Sequence, residues 1–152
     1  MKKKLTVLPV ALVAGTAAAG IAAASAHPTG TTAASHDLRT SAKLTFAHSV
    51  DLGARGPSAG DITVFGGRLV GPDLKGRYQA YCVNVSRTRQ ECSETLITAG
   101  GQIAAQASYG QGTTALTPIV GGSGTYTGTR GDLSEQEAAG GRVVHLVLHL
   151  EQ

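Results

Sequence analysis

Residues 142–150, RVVHLVLHL, alternate in character. Val144, Leu146, Leu148 and Leu150 fall on one face of an extended chain, and Val143, His145, Val147 and His149 on the other. Both faces are partly apolar, so neither is simply solvated. A barrel wall accommodates this, with its outside packed by a partner subunit or its inside filled by a ligand. Seven further strand-length segments precede it: residues 43–52, 61–70, 74–85, 90–98, 102–110, 114–120 and a stretch near 131–137. The gaps between them are short or carry Gly, Pro, Ser or Asp, and Thr, Val and Tyr recur within them. No stretch after residue 42 sustains a 3.6-residue period with caps; residues 131–141, GDLSEQEAAGG, allow at most a turn of helix. The pattern therefore predicts an all-β chain of eight strands.

One hairpin is explicit in YCVNVSRTRQEC. The chain runs out, turns at residues 86–88 and returns, so that pairing Cys82 with Cys92 sets Val85 opposite Arg89. Directly opposed side chains in an antiparallel pair have Cβ atoms about 4.5–5.5 Å apart, and a disulfide needs about 3.8 Å, so a small local pinch closes the bond.

Residues 117–133, TPIVGGSGTYTGTRGDL, hold five glycines. Glycine this dense either cradles a ligand or lets a sheet turn a corner. Gly122, Gly124 and Gly128 are spaced G-x-G-x-x-x-G, one residue off the dinucleotide fingerprint, and no helix follows to present its N-terminus to a phosphate. A corner is the better reading. Arg130-Gly131-Asp132 spells an adhesion tripeptide, but an ordinary strand start explains it.

Composition changes the picture mainly at the N-terminus. Lys2, Lys3 and Lys4 precede an apolar stretch over residues 5–24, and Ala24-Ser25-Ala26 supplies a small-residue cleavage site. A membrane anchor is the rival reading, since the stretch is about long enough to span a bilayer. The A-x-A site favours a secretory signal peptide over residues 1–26, which leaves no stable membrane insertion after cleavage. Residues 27–41, small and polar, read as a flexible segment, and residues 42–152 as the single folded domain. The whole chain has 13 Lys+Arg against 10 Asp+Glu; removing the three leader lysines balances them at 10 against 10. That balance excludes nucleic acid as a partner, because phosphate binding needs a basic field. In an exported chain, two cysteines read as one disulfide and make a poor zinc site.

Other chemistry is thinly represented. His145 and His149 share a face but lie about 13 Å apart along a strand, too far to ligate one ion; we expect no metal. Ser, His and Asp all occur, but no G-x-S-x-G elbow does. Aromatic residues are 4% of the chain and Ala, Gly, Ser and Thr fill the segments. Small side chains fill a barrel poorly, which leaves room for a guest.

The order of these segments resembles the allene oxide cyclase barrel family and the related dirigent proteins, across roughly residues 42–150. Its most specific piece is IVGGSGTYTGTRGDL: Ile119, Val120, Gly121, Gly122, Ser123, Gly124, Tyr126, Gly128 and Gly131 fit an apolar pair, a G-G-[ST]-G corner, an aromatic residue and a strand-opening glycine. GQIAAQASY is the next best piece, and YCVNV…EC looks like the bacterial, secreted branch. The resemblance implies an eight-stranded antiparallel β-barrel with an apolar lumen, often trimeric, and a small hydrophobic, often oxygenated ligand handled without a cofactor. Plant members carry a glutamate on the first strand, where residues 43–52 have only Asp51; an asparagine after the second-strand Phe is replaced by glycine in Phe65-Gly66-Gly67; the third-strand cysteine is matched by Cys82. Catalytic residues are therefore unassigned.

By strand parity, Phe46 and His48 share a face, as do Val64 and Arg68, and Tyr78 and Asn84. With those faces inward, Phe46, His48, Arg68 and Tyr78 become the ligand-contacting set. Two functions follow: a secreted barrel that binds a small hydrophobic molecule in its lumen, or a cofactor-free cyclase, isomerase or dirigent-like enzyme that steers ring closure or coupling.

Overall fold

The computed structural model describes residues 35–110 and 116–151, within one compact unit running from Thr32 to Gln152. The leader, and residues 27–34 of the segment read as flexible, lie outside the described residues. Eight strands follow in order: β1 (Ser35–Val50), β2 (Ile62–Val70), β3 (Lys75–Asn84), β4 (Arg89–Thr98), β5 (Gly101–Gly110), β6 (Thr117–Gly122), β7 (Arg130–Ala138) and β8 (Val143–Glu151). Each pairs antiparallel with its sequence neighbour, and β1 pairs with β8, which closes the barrel.

The sequence reading placed residues 35–41 in the flexible segment. They are the first half of β1 and pair with β8 from Ser35 opposite Glu151 to Lys43 opposite Val143. Small polar residues such as Thr40 and Ser41 satisfy a pleat when a neighbouring strand supplies the hydrogen bonds, and the fully buried Ala42 continues the inward row of Leu38 and Thr40. The second half of β1, from Ala42 to Val50, pairs with β2. Between Leu44 and Phe46 the register slips by one residue. That bulge bends the strand from one neighbour to the other.

Alternation assigns the inner face. Leu69 of β2, Leu96 of β4, Ile103 of β5, Ile119 of β6, Leu133 of β7 and Leu146, Leu148 and Leu150 of β8 are all buried and form one cluster. They fill the end of the barrel where the connections after β2, β4 and β6 lie. Leu74 folds in from the first of these connections, and the Thr40 hydroxyl donates to its carbonyl at 2.9 Å. The glycine-rich stretch is the third. A single 3₁₀ turn (Gly124–Tyr126) links β6 to β7, with Gly124 at φ 64° and its Cα packed so close to the β4–β5 turn that a Cβ would sit 2.2 Å from the Gly100 carbonyl oxygen. Glycine here lets two corners touch.

The β3–β4 hairpin keeps the predicted register. Cys82 faces Cys92 with Cα atoms 4.1 Å apart, the two are disulfide-bonded, and the Val85 amide donates to the Arg89 carbonyl at 3.0 Å. Closing a loop of this size contributes about 2–3 kcal/mol. We expect Cys82→Ser with Cys92→Ser to lower the urea midpoint by a corresponding amount while far-ultraviolet circular dichroism keeps its strand signature. An unchanged midpoint would show the bond to be neutral.

Candidate functional site

The other end of the barrel is hollow. A cavity of about 500 Å³ opens there, walled by Leu44, Phe65, Ala80, Val144 and the Cys82–Cys92 disulfide. Ordinary ligand pockets span roughly 300–1,000 Å³. The hollow exists because the inward row of β3 carries Ala80 where the closed end has leucines, and because β4 and β7 turn polar side chains into it.

Those polar groups form one cluster. Tyr78 and Glu94 are buried, and the Tyr78 hydroxyl donates to Glu94 Oε2 at 2.9 Å. The Tyr109 hydroxyl reaches Glu94 Oε1 at 3.5 Å and makes a short hydrogen bond with the Thr117 hydroxyl. Glu135 completes the group from β7, and its Oε1 is buried without a hydrogen-bond donor. Glu137, Gln90 and Gln136 stand nearer the mouth and also line the cavity.

The electrostatics follow from burial beside like charge. Burial first, then the Glu94 charge, pushes the Glu135 carboxyl up to about 9. At neutral pH it therefore holds a proton, as expected when two carboxyls meet in a low-dielectric space. Burial likewise holds the Tyr78 phenol far above its ordinary value, with Glu94 and Glu135 adding to the effect. Tyr109, half-buried, is pushed up to about 12, again by burial first. Both phenols thus remain donors throughout the neutral range. The arrangement is a carboxylate held by two phenols beside a carboxylic acid, between an apolar floor and a mouth that carries Glu137, Gln90 and Gln136. Such a site can orient a polar atom, donate a proton or accept one.

Of the four residues expected to contact a ligand, the structure brings only Tyr78 to the lumen. Phe46, His48 and Arg68 are exposed on the outer wall. The bulge explains the first two. Thr40, Ala42 and Leu44 point inward, but the extra residue at Thr45 inverts the parity, so Phe46 points out and its ring lies over Gly66. His48 follows, stacked on Phe46 with ring centroids 5.7 Å apart. On β2 the inward residues are Phe65, Gly67 and Leu69, so Arg68 faces solvent beside Arg77. Strand parity told which residues share a face, and the assumed direction was reversed for these two strands.

His145 and His149 of β8 also lie on the outer wall. His145 Nδ1 pairs with the Ser41 hydroxyl at 2.9 Å. His149 bridges Asp37 Oδ1 at 2.8 Å and the Ser134 hydroxyl at 3.2 Å. This gives a Ser-His-Asp series, but it runs across β7, β8 and β1 on the exposed wall, and none of the three lines the lumen.

Glu94, Tyr109 and Glu135 were not singled out from the sequence. The first was within reach: two-residue steps from the cysteine pair lead to Glu94 on one strand and to Ala80 and Tyr78 on the other. Tyr109 shares parity with the buried Ile103 and Ala105. Glu135 shares parity with the buried Leu133, but that one apolar residue is the whole of its signal, since the rest of β7 is Gly, Ala or polar.

No family model and no curated protein matches this chain. Among solved structures it is similar to one titled pyocyanin demethylase, with a TM-score of 0.67 and 21% sequence identity over 76% of this chain and 99% of that one. What the two chains share is the architecture: this protein is an eight-stranded, closed, antiparallel β-barrel.

Proposed function

We propose that this chain is a secreted barrel that binds a small, mostly apolar molecule in its half-open lumen. The hollow end carries the reading: a ligand-sized cavity in which apolar walls from Leu44, Phe65, Ala80 and Val144 surround polar groups that converge on Glu94. Export is supported by the leader-like residues 1–26 and by the disulfide, a bond that persists in oxidising compartments. The resemblance to allene oxide cyclase and dirigent barrels supports the same reading, together with assembly as a homotrimer. Phe46 and His48, on the outer wall, then serve the assembly surface, and Tyr78 the ligand.

The second reading is a cofactor-free cyclase or isomerase. What favours it is the Glu135 carboxyl, pushed up to about 9 by burial and by the charge of Glu94, inside a cavity that also positions its contents. A barrel of the same architecture supports enzymatic chemistry in the protein titled pyocyanin demethylase.

Binding of the neutral fluorescent probe N-phenyl-1-naphthylamine tests the common part. Ala80→Phe places a ring in the hollow and should weaken probe binding at least about tenfold, at a stability cost of about 1–3 kcal/mol. The double variant His48→Ala, Arg68→Ala should bind as the parent does. If the double variant loses the probe while Ala80→Phe keeps it, the site is on the outer wall and the lumen reading fails. Native mass spectrometry of protein purified from its own host would then identify the natural guest.

A further inference from the structure

The lumen is one-sided in charge. Among the described residues that line it are Glu94, Glu135 and Glu137, and none is Lys, Arg or His. Glu94 is 4% exposed, and its oxygens are met by the two phenols and by the Glu135 carboxyl, with no cation among these partners. A buried carboxylate without a cationic partner is costly, and neutral donors relieve only part of that cost. Glu135 Oε1, also buried, receives no donor from the protein. The sole way to quiet the pair without a guest is the proton it shares. Every other surface of the hollow is apolar or neutral: Leu44, Phe65, Ala80, the disulfide and Val144.

We infer that the lumen selects molecules with a compact apolar body and a protonated or cationic nitrogen, seated against Glu94 and Glu135 Oε1. This rests on the reading of the lumen as a binding site and adds the charge of its occupant. An N–H donor would reach the unmet oxygen, and its positive charge would offset the buried carboxylate through charge-assisted hydrogen bonds. A neutral hydroxyl would donate to the unmet oxygen but leave the carboxylate charge unopposed, a neutral carbonyl or ether would do neither, and an anionic guest would be repelled.

The pairing fixes a proton balance. A cationic guest replaces the proton of the carboxyl pair, and that proton leaves to solvent. Binding therefore strengthens as the pH rises toward the value at which Glu135 ionises in the empty barrel. The groups that face Glu135 are Tyr78 from β3, Glu94 from β4, Tyr109 from β5, Thr117 from β6 and Glu137 from its own strand; β8 offers Val144 and Leu146, and β1 offers Ala42 and Leu44. Neither phenol loses its proton before Glu135 does, so the carboxyl pair sets the pH dependence.

Three probes of one shape test this on the full-length protein: 1-naphthylmethylammonium, 1-naphthalenemethanol and 1-naphthoate, followed by their fluorescence at several pH values. The ammonium should bind at least about tenfold more tightly than the alcohol, more tightly at pH 8 than at pH 6, with the naphthoate weakest. Glu135→Gln should abolish the rise in ammonium affinity between pH 6 and pH 8; a rise that persists in this variant would overturn the proton balance. If the alcohol and ammonium bind equally, or the naphthoate binds best, the charge selection is wrong while the lumen remains a site. If none of the three binds, the lumen reading falls with it.

Discussion

Raising the pH from about 5 to about 9 should lower the melting temperature of this barrel by roughly 10 °C, and Glu135→Gln should remove most of that slope. The sign follows from the proton. The folded state raises the Glu135 pKa from 4.5 to about 9, so between those values the native barrel holds a proton that the unfolded chain has released. Stability from this group is therefore complete below about 4.5 and is lost progressively as the pH climbs to about 9. Burial beside Glu94 makes the loss on the order of 3 kcal/mol. Glutamine keeps the shape and cannot ionise. Asp61 acts oppositely and elsewhere in pH: the Ser58 amide, foremost, holds its carboxyl below the ordinary value, so its contribution is lost only in acid. Thermal melts followed by circular dichroism decide the matter. A melting temperature that is flat or rising over this range, or a slope that survives in Glu135→Gln, would remove the buried acid from the account.

The second large effect is expected at Gly131. It sits second in β7 at φ 128°, opposite Leu150 on one side and Ile119 on the other. A Cβ there would come 1.8 Å from the His149 carbonyl oxygen, and that atom is sheet backbone with nowhere to retreat. Gly131→Ala should cost about 4 kcal/mol or more, combining a strained dihedral with a clash inside the ladder. Gly128 provides the control. Its φ is 79°, but nothing lies within 4 Å of its would-be Cβ, so Gly128→Ala should cost only the dihedral term, about 1–2 kcal/mol. Equal urea midpoints for the two variants would refute the argument. Arg130-Gly131-Asp132 thus owes its glycine to close strand packing at the start of β7.

The sequence carried the periodic features of this protein. Alternation in RVVHLVLHL announced β8, the cysteine spacing set the β3–β4 register, and the glycines of residues 121–131 marked a corner. Each rests on a local rule: a two-residue pleat, a covalent reach, a backbone angle that side chains resist. Pairing between distant segments was beyond such rules. Residues 35–41 look like a polar tail until β8 supplies their hydrogen bonds, and a strand made by its partner leaves little mark in its own composition.

The candidate site divides in the same way. Tyr78 was legible, since it shares a row with Cys82. Phe46, His48 and Arg68 were placed on the wrong side, because a period of two fixes which residues stand together and says nothing of which row is inside. One bulged residue, Thr45, exchanges the rows along β1, and nothing in the sequence announces it. Closure of the barrel then did what no segment does alone. It filled one end with leucines from strands far apart in sequence, left the other hollow, and brought Glu94 and Glu135 together across the lumen. Two carboxyls 41 positions apart acquire their chemistry only when a closed sheet buries them side by side, within hydrogen-bond reach of each other.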